Sequence, residues 1–133
     1  DRLKIRISSI TFPANSADLA LVTELEKAAR NDKTLGRLAE IFKKYDSYRI
    51  LIEGHANITR FWSKAEADKE NQEELIPLSL ARAEAVKRAL VSLGLEAGRI
   101  SVSGIGGSTP IVPFDDEANR WKNRRVEFIL IKK

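Results

Sequence analysis

Two short runs in this chain carry apolar residues on both parities of a strand: the near-continuous Arg49–Glu53, closed by Gly54, and Val126–Ile131. A strand with one wet face alternates apolar and polar residues, whereas a strand covered on both faces does not. The two runs are therefore read as central strands, and a sheet with buried central strands requires elements packed around it. Leu3, Ile5 and Ile7 alternate as a half-buried strand does, and the parity then shifts to Ile10 and Phe12, which places a bulge near Ser8–Ser9. Ile100, Val102 and Ile105 make a further strand, interrupted by Gly104, Gly106 and Gly107.

Helical stripes separate the strands. Asn15 or Ser16 is expected to cap a helix carrying Leu19, Val22, Leu25 and Ala29. The segment Asn31-Asp32-Lys33-Thr34 is read as a break, followed by a second stripe of Leu35, Leu38, Ile41, Phe42 and Tyr45. Residues 58–76 are polar and irregular apart from Phe61 and Trp62, and are expected to form a long loop with one helical turn. From Pro77 to Leu93 a helix buries Ala83, Val86, Leu90 and Leu93, with Gly94–Leu95 as its C-cap. The order β-α-(α)-β-α-β-β implies an α/β (α+β sandwich) class: a mixed four-stranded sheet with helices packed on one side, in a single domain spanning residues 1–133.

Composition removes several functions. No apolar stretch of about 18 residues is present, so the chain holds no transmembrane segment, and no signal peptide opens it. The absence of Met marks a mature product or a domain excised from a larger envelope protein. Without Cys there are no thiolate nucleophiles and no zinc-thiolate sites. The one histidine, His55, excludes a multi-histidine metal site and is read as structural at the mouth of its strand. No serine nucleophile elbow occurs. Ser103-Gly104-Ile105-Gly106-Gly107-Ser108 lacks the Lys-Ser/Thr ending and following helix of a phosphate loop, and is read as a turn needing positive φ. No enzymatic activity, cofactor or metal is expected. The net charge of +4 is too modest and too dispersed for a nucleic-acid partner; its densest stretch is Arg120, Lys122, Arg124 and Arg125.

One constellation remains. Gly54-His55-Ala56-Asn57 ends a central strand, Leu78 to Ala83 opens the following helix, and Asn123-Arg124-Arg125-Val126 introduces the last strand. Leu78 and Arg82 are four apart and share a helical face away from the buried stripe. An arginine in a first helical turn opposes the macrodipole, yet it suits capture of a carboxylate jointly with backbone N–H groups.

These segments resemble the OmpA-like domain family, which includes peptidoglycan-associated lipoproteins and the wall-binding part of flagellar stator proteins. The resemblance runs from Thr11-Phe12 and Ser16–Leu19, through Ile52-Glu53-Gly54-His55 and Leu78–Ala83 with Ala85-Val86 and Leu90, to Gly104–Ile111 and Asn123–Glu127. It implies a periplasmic, outer-membrane-associated module that binds the diaminopimelate-containing stem peptide of peptidoglycan. It also implies roles: Arg82 for a stem carboxylate, Asn57 for an amino group of the same residue, Leu78 for packing, Asn15 from the first junction, and Arg125 for charge. The chain departs from the family at Asn57, where the family carries aspartate, and at Leu75, where it carries asparagine. The residue 58–76 connection, with Phe61 and Trp62, is also longer than the family's. The neutral amide at Asn57 points to a ligand with a non-standard diamino acid. The rival expectation is a divergent OmpA-like domain that has lost wall binding and serves as a structural or protein-interaction part.

Overall fold

A computed structural model describes residues 2–7, 10 and 25–133. Four strands form one mixed sheet: β1 (Arg2–Ile7), β2 (Tyr48–His55), β3 (Ile100–Gly106) and β4 (Val126–Lys132), in the spatial order β1-β4-β2-β3. β4 runs antiparallel to both β1 and β2, while β2 and β3 are parallel. The two segments apolar on both parities thus occupy the two interior positions, as their patterning requires. The expected bulge at Ser8–Ser9, the first helix before residue 25 and Asn15 lie outside the described residues.

The apolar layer lies between one face of the sheet and two long helices, α1 (Leu25–Lys44) and α3 (Ile76–Ser92). Phe42 of α1, Val86 and Leu90 of α3, and Ile50, Ile52 and Phe128 of the sheet are all almost completely buried there. The Phe42 and Phe128 rings meet at 5.5 Å. Such contacts supply most of the folding free energy, because each large apolar side chain removed from water contributes roughly 1.5–3 kcal/mol.

Three sequence expectations do not hold, the smallest being Leu93, expected in the buried stripe of α3 but 42% exposed just past its last turn. The break at 31–34 is absent: α1 runs straight through it, with Asn31 buried and Leu35, Leu38, Ala39 and Phe42 in the core. Asn, Asp and Thr cost a helix at most about 0.7 kcal/mol each, which burial of that stripe outweighs. Residues 58–76 are also largely helical. Ser63 caps α2 (Lys64–Glu70) by accepting the Glu66 amide at 3.4 Å, a five-residue π segment (Asn71–Leu75) follows, and α3 continues without a gap. The Ser63-x-x-Glu66 spacing is a capping-box signature. The π segment sits where Pro77 would otherwise press on the carbonyl four residues back, and its wider turn makes room for the ring.

Candidate functional site

The site is built where α3 crosses the C-terminal ends of β2 and β3. Only glycine permits the approach. A Cβ on Gly54 would stand 2.0 Å from the Ser79 carbonyl oxygen, and one on Gly104 would stand 2.5 Å from that of Ile76. Ser79 Oγ, fully buried, accepts the Gly106 amide at 2.9 Å and donates to the Ile76 carbonyl at 3.0 Å. Asn71 on the π segment accepts the Gly107 amide at 2.8 Å and donates to Ser108 Oγ at 3.1 Å. Gly106 adopts φ of +64°, so the glycine run is a positive-φ turn held against a helix.

Leu78 and Arg82 lie on the flank of α3 beside this contact, both partly exposed. The helix entrance expected to offer free backbone N–H groups does not exist. Residues 64–92 are helical throughout, the Ile76 amide is bonded to Asn71 O, and Pro77 has no N–H. What this flank offers an anion is therefore side chains and not helix-terminal amides. Burial, and after it the charge of Arg124, holds the Arg82 guanidinium below its ordinary range. Two cationic groups from separate elements thus share one region.

Asn57 and Arg125 are directed inward. Asn57 is 3% exposed; its Oδ1 accepts from Asn123 Nδ2 at 2.7 Å, and its Nδ2 donates to the carbonyls of Ile58 at 3.0 Å and Phe114 at 3.3 Å. Asn123 in turn gathers the segment ahead of β4, accepting the Ile111 and Val112 amides at 2.9 and 3.1 Å and donating to Val112 O at 3.0 Å. Arg125 is buried in a 2.5 Å ion pair with Glu127, and it also donates to Asn123 O at 3.3 Å and Thr109 O at 2.9 Å. Both residues hold the 107–124 segment in place. The exposed arginine of the pair is Arg124.

A second polar cluster, absent from the sequence reading, lies around Glu127. His55 Nε2 is 3.6 Å from Glu53 Oε1 and 3.7 Å from Glu127 Oε1, and Lys4 Nζ is 3.2 Å from Glu127 Oε1. Glu53, His55 and Glu127 each offer an atom within 4.8 Å of the others. Lys4 and Arg125 already bring two positive charges to Glu127, however, which makes this an ion-pair core. Arg125, in the backbone that leads into β4, and Glu127, two residues on, share one parity and so one face, and that spacing was the signal for it.

Burial alone would raise the Glu127 carboxyl, but hydrogen bonds from Arg125 and Lys4, with the charges of Arg125 and His55, hold it at about 2 against an ordinary 4.5. A depressed carboxyl stabilises the fold fully above its unfolded value and loses that effect as pH falls through the folded one. Wild type should therefore lose on the order of 2 kcal/mol more than Glu127→Gln between about pH 4.5 and 2, after allowance for the exposed Lys4 partner. Urea denaturation across that window reads it, and parallel pH profiles for the two proteins would refute it.

Phe61 and Trp62 pack edge to face at 6.2 Å on the surface, with Trp62 71% exposed. Their turn is fixed by Glu70, whose carboxylate accepts the amides of Thr59 at 2.9 Å and Arg60 at 3.0 Å, and the Thr59 hydroxyl. Trp62 therefore stands largely in water.

The sequence profile of the OmpA family matches residues 11–124. Motility protein B of Helicobacter pylori strain J99 is 32% identical over 91 residues, covering 68% of this chain and 34% of that protein. The peptidoglycan-associated lipoprotein of Rhizobium meliloti is 32% identical over 97 residues, covering 73% of this chain and 49% of that protein. The chain thus spans from about a third to about half the length of these curated relatives. The crystal structure of the periplasmic domain of Helicobacter pylori MotB superposes with a TM-score of 0.72 at 24% identity, over 99% of this chain and 76% of that one. The mixed sheet with its helices is common to both.

Proposed function

The chain belongs to the OmpA family, and from that premise we propose that it is a non-catalytic peptidoglycan-binding module that tethers an envelope protein to the cell wall. A relative named for its association with peptidoglycan supports the ligand class. The observation that carries the mechanism is the place of Arg82, partly exposed on the flank of α3 beside the ends of β2 and β3, with the exposed Arg124 adding positive charge to the same region. A carboxylate held there by both guanidinium groups replaces like-charge repulsion by charge-assisted hydrogen bonds, and the two act as a clamp. The stem peptide of peptidoglycan carries such carboxylates. Leu78, one turn before Arg82 on the same flank, packs against the aliphatic part of the bound residue. Asn15, which lies outside the described residues, is added on the family resemblance alone.

Asn57 and Arg125 act from behind this surface. By holding Asn123 and Thr109 they set the position of the segment that delivers Arg124. Asn57 is neutral where the family has aspartate, so the ligand's amino group gains no charged partner at this position. The reading therefore extends to a stem with a different diamino acid at its third position. Stem peptides varied at that residue should bind with different affinities in calorimetric titration; a flat series would remove this refinement. On this reading the domain works in the periplasm, and outer-membrane attachment and envelope partners belong to the same proposal.

Co-sedimentation with purified sacculi tests the clamp. Arg82→Ala and Arg124→Ala should each weaken binding roughly tenfold or more, the loss expected for one hydrogen-bonded charge. If both variants pellet as wild type does, the clamp is not the binding element.

A further inference from the structure

A stem peptide does not occur alone in the wall: it hangs from the lactyl group of a muramyl sugar. At roughly 3.3–3.6 Å per extended residue, a protein that holds a residue two or three positions along the stem has the glycan within about 10 Å of the gripped group. The surface beside Arg82 and Arg124 must therefore meet sugar as well as peptide.

Trp121 lies three residues before Arg124. It belongs to the 3-10 turn Arg120–Asn123, and its carbonyl accepts the Arg124 amide at 3.1 Å, so the indole and the second clamp arginine are one turn apart. The turn is fixed from beneath. Asn123, completely buried, ties it to Asn57 on one side and to Ile111 and Val112 on the other. Above, the indole is 51% exposed and has Lys122 Nζ over its ring at 5.7 Å from the centroid. A large ring held half in water on a rigid turn contributes little to the core, yet it offers a flat apolar surface with an N–H at its edge. The apolar face of a pyranose matches the ring, and its hydroxyl and acetamido groups match the N–H. Phe61 and Trp62 are also exposed, but their turn is secured by Glu70 of α2.

We propose that Trp121 is a sugar-stacking residue that binds the amino sugar carrying the stem peptide, extending the peptide site onto the glycan strand. The proposal rests on the stem-peptide reading given above. The probes are a free stem peptide and the disaccharide-peptide bearing the same stem, titrated by calorimetry into wild type, Trp121→Ala, Trp121→Phe and Arg82→Ala. In wild type the sugars should strengthen binding about threefold to tenfold, the range expected of one stacked ring. That ratio should fall to near one in Trp121→Ala and be largely kept in Trp121→Phe, whereas Arg82→Ala should weaken both ligands. Equal affinity of the two probes for wild type, or a ratio that survives Trp121→Ala, overturns the proposal and leaves the stem-peptide reading intact. If neither probe binds wild type, both fall together. Loss of self-association or of binding to anionic vesicles in Trp121→Ala, with the sugar ratio unchanged, would assign the indole to a second copy or to a membrane and overturn the proposal.

Discussion

Replacing Arg125 by alanine should lower the unfolding free energy by about 3–5 kcal/mol, the loss expected when one member of a buried ion pair is removed. Arg125 and Glu127 are almost completely enclosed and pair at 2.5 Å. Without the guanidinium, Glu127 loses its shortest ion pair, and the cations left close to it include Lys4, whose side chain is half exposed, with His55 nearby. Two further bonds vanish with it, those to the carbonyls of Asn123 and Thr109 that anchor the segment before β4. A pH signature separates this mechanism from a general packing defect. Glu127 is held at about 2 chiefly through hydrogen bonds from Arg125 and Lys4, so in the variant its carboxyl should rise and protonation should relieve the orphaned charge. The stability gap to wild type should narrow as pH falls below about 4.5. Guanidinium chloride would mask the electrostatics, so urea is the denaturant of choice. A variant as stable as wild type but weaker toward peptidoglycan would instead make Arg125 a ligand contact.

That experiment bears on what could be read from the sequence. The interior strands were legible because apolar residues on both parities of so short a run suit a strand covered on both faces. The flank of α3 was legible because Leu78 and Arg82 fall outside the Ala83–Val86–Leu90 stripe. Which of two adjacent arginines faces solvent was not. Arg124 and Arg125 precede β4, and their directions depend on where the pleat begins; the parity shared by Arg125 and Glu127 becomes decisive only once the register with β2 is known. The polar segment 31–34 and the stretch 58–76 misled for a related reason. Local propensity is a weak force, and the core contacts of α1 and the cap at Ser63 override it. Asn57 shows a further limit. A chain can reveal that an amide stands where a relative has an acid, but not that the amide is occupied by Asn123, because that partner lies 66 residues away.

Gly54→Ala should cost about 3 kcal/mol, at the upper end of what one added methyl does in a packed interior. Most overpacked sites relax by turning a side chain. Here the methyl would lie 2.0 Å from the Ser79 carbonyl oxygen and 2.8 Å from its carbon, so the obstacle is helix backbone, and only movement of α3 away from the sheet relieves it. That movement has a functional consequence. Ser79 would draw away from the Gly106 amide it holds at 2.9 Å, and Leu78 and Arg82 would shift with the helix relative to Arg124. Affinity for sacculi should therefore fall on the order of tenfold, since charge-assisted hydrogen bonds lose most of their strength when displaced by about an ångström. Gly36→Ala supplies the contrast. It lies within α1, a Cβ there meets nothing within 4 Å, and the substitution should stabilise the fold by about 0.5–1 kcal/mol with binding unchanged. Thermal unfolding and sacculus pelleting of the two variants side by side decide the matter. Should Gly54→Ala prove as benign as Gly36→Ala, the close seating of α3 on β2 would not be what positions the arginine clamp.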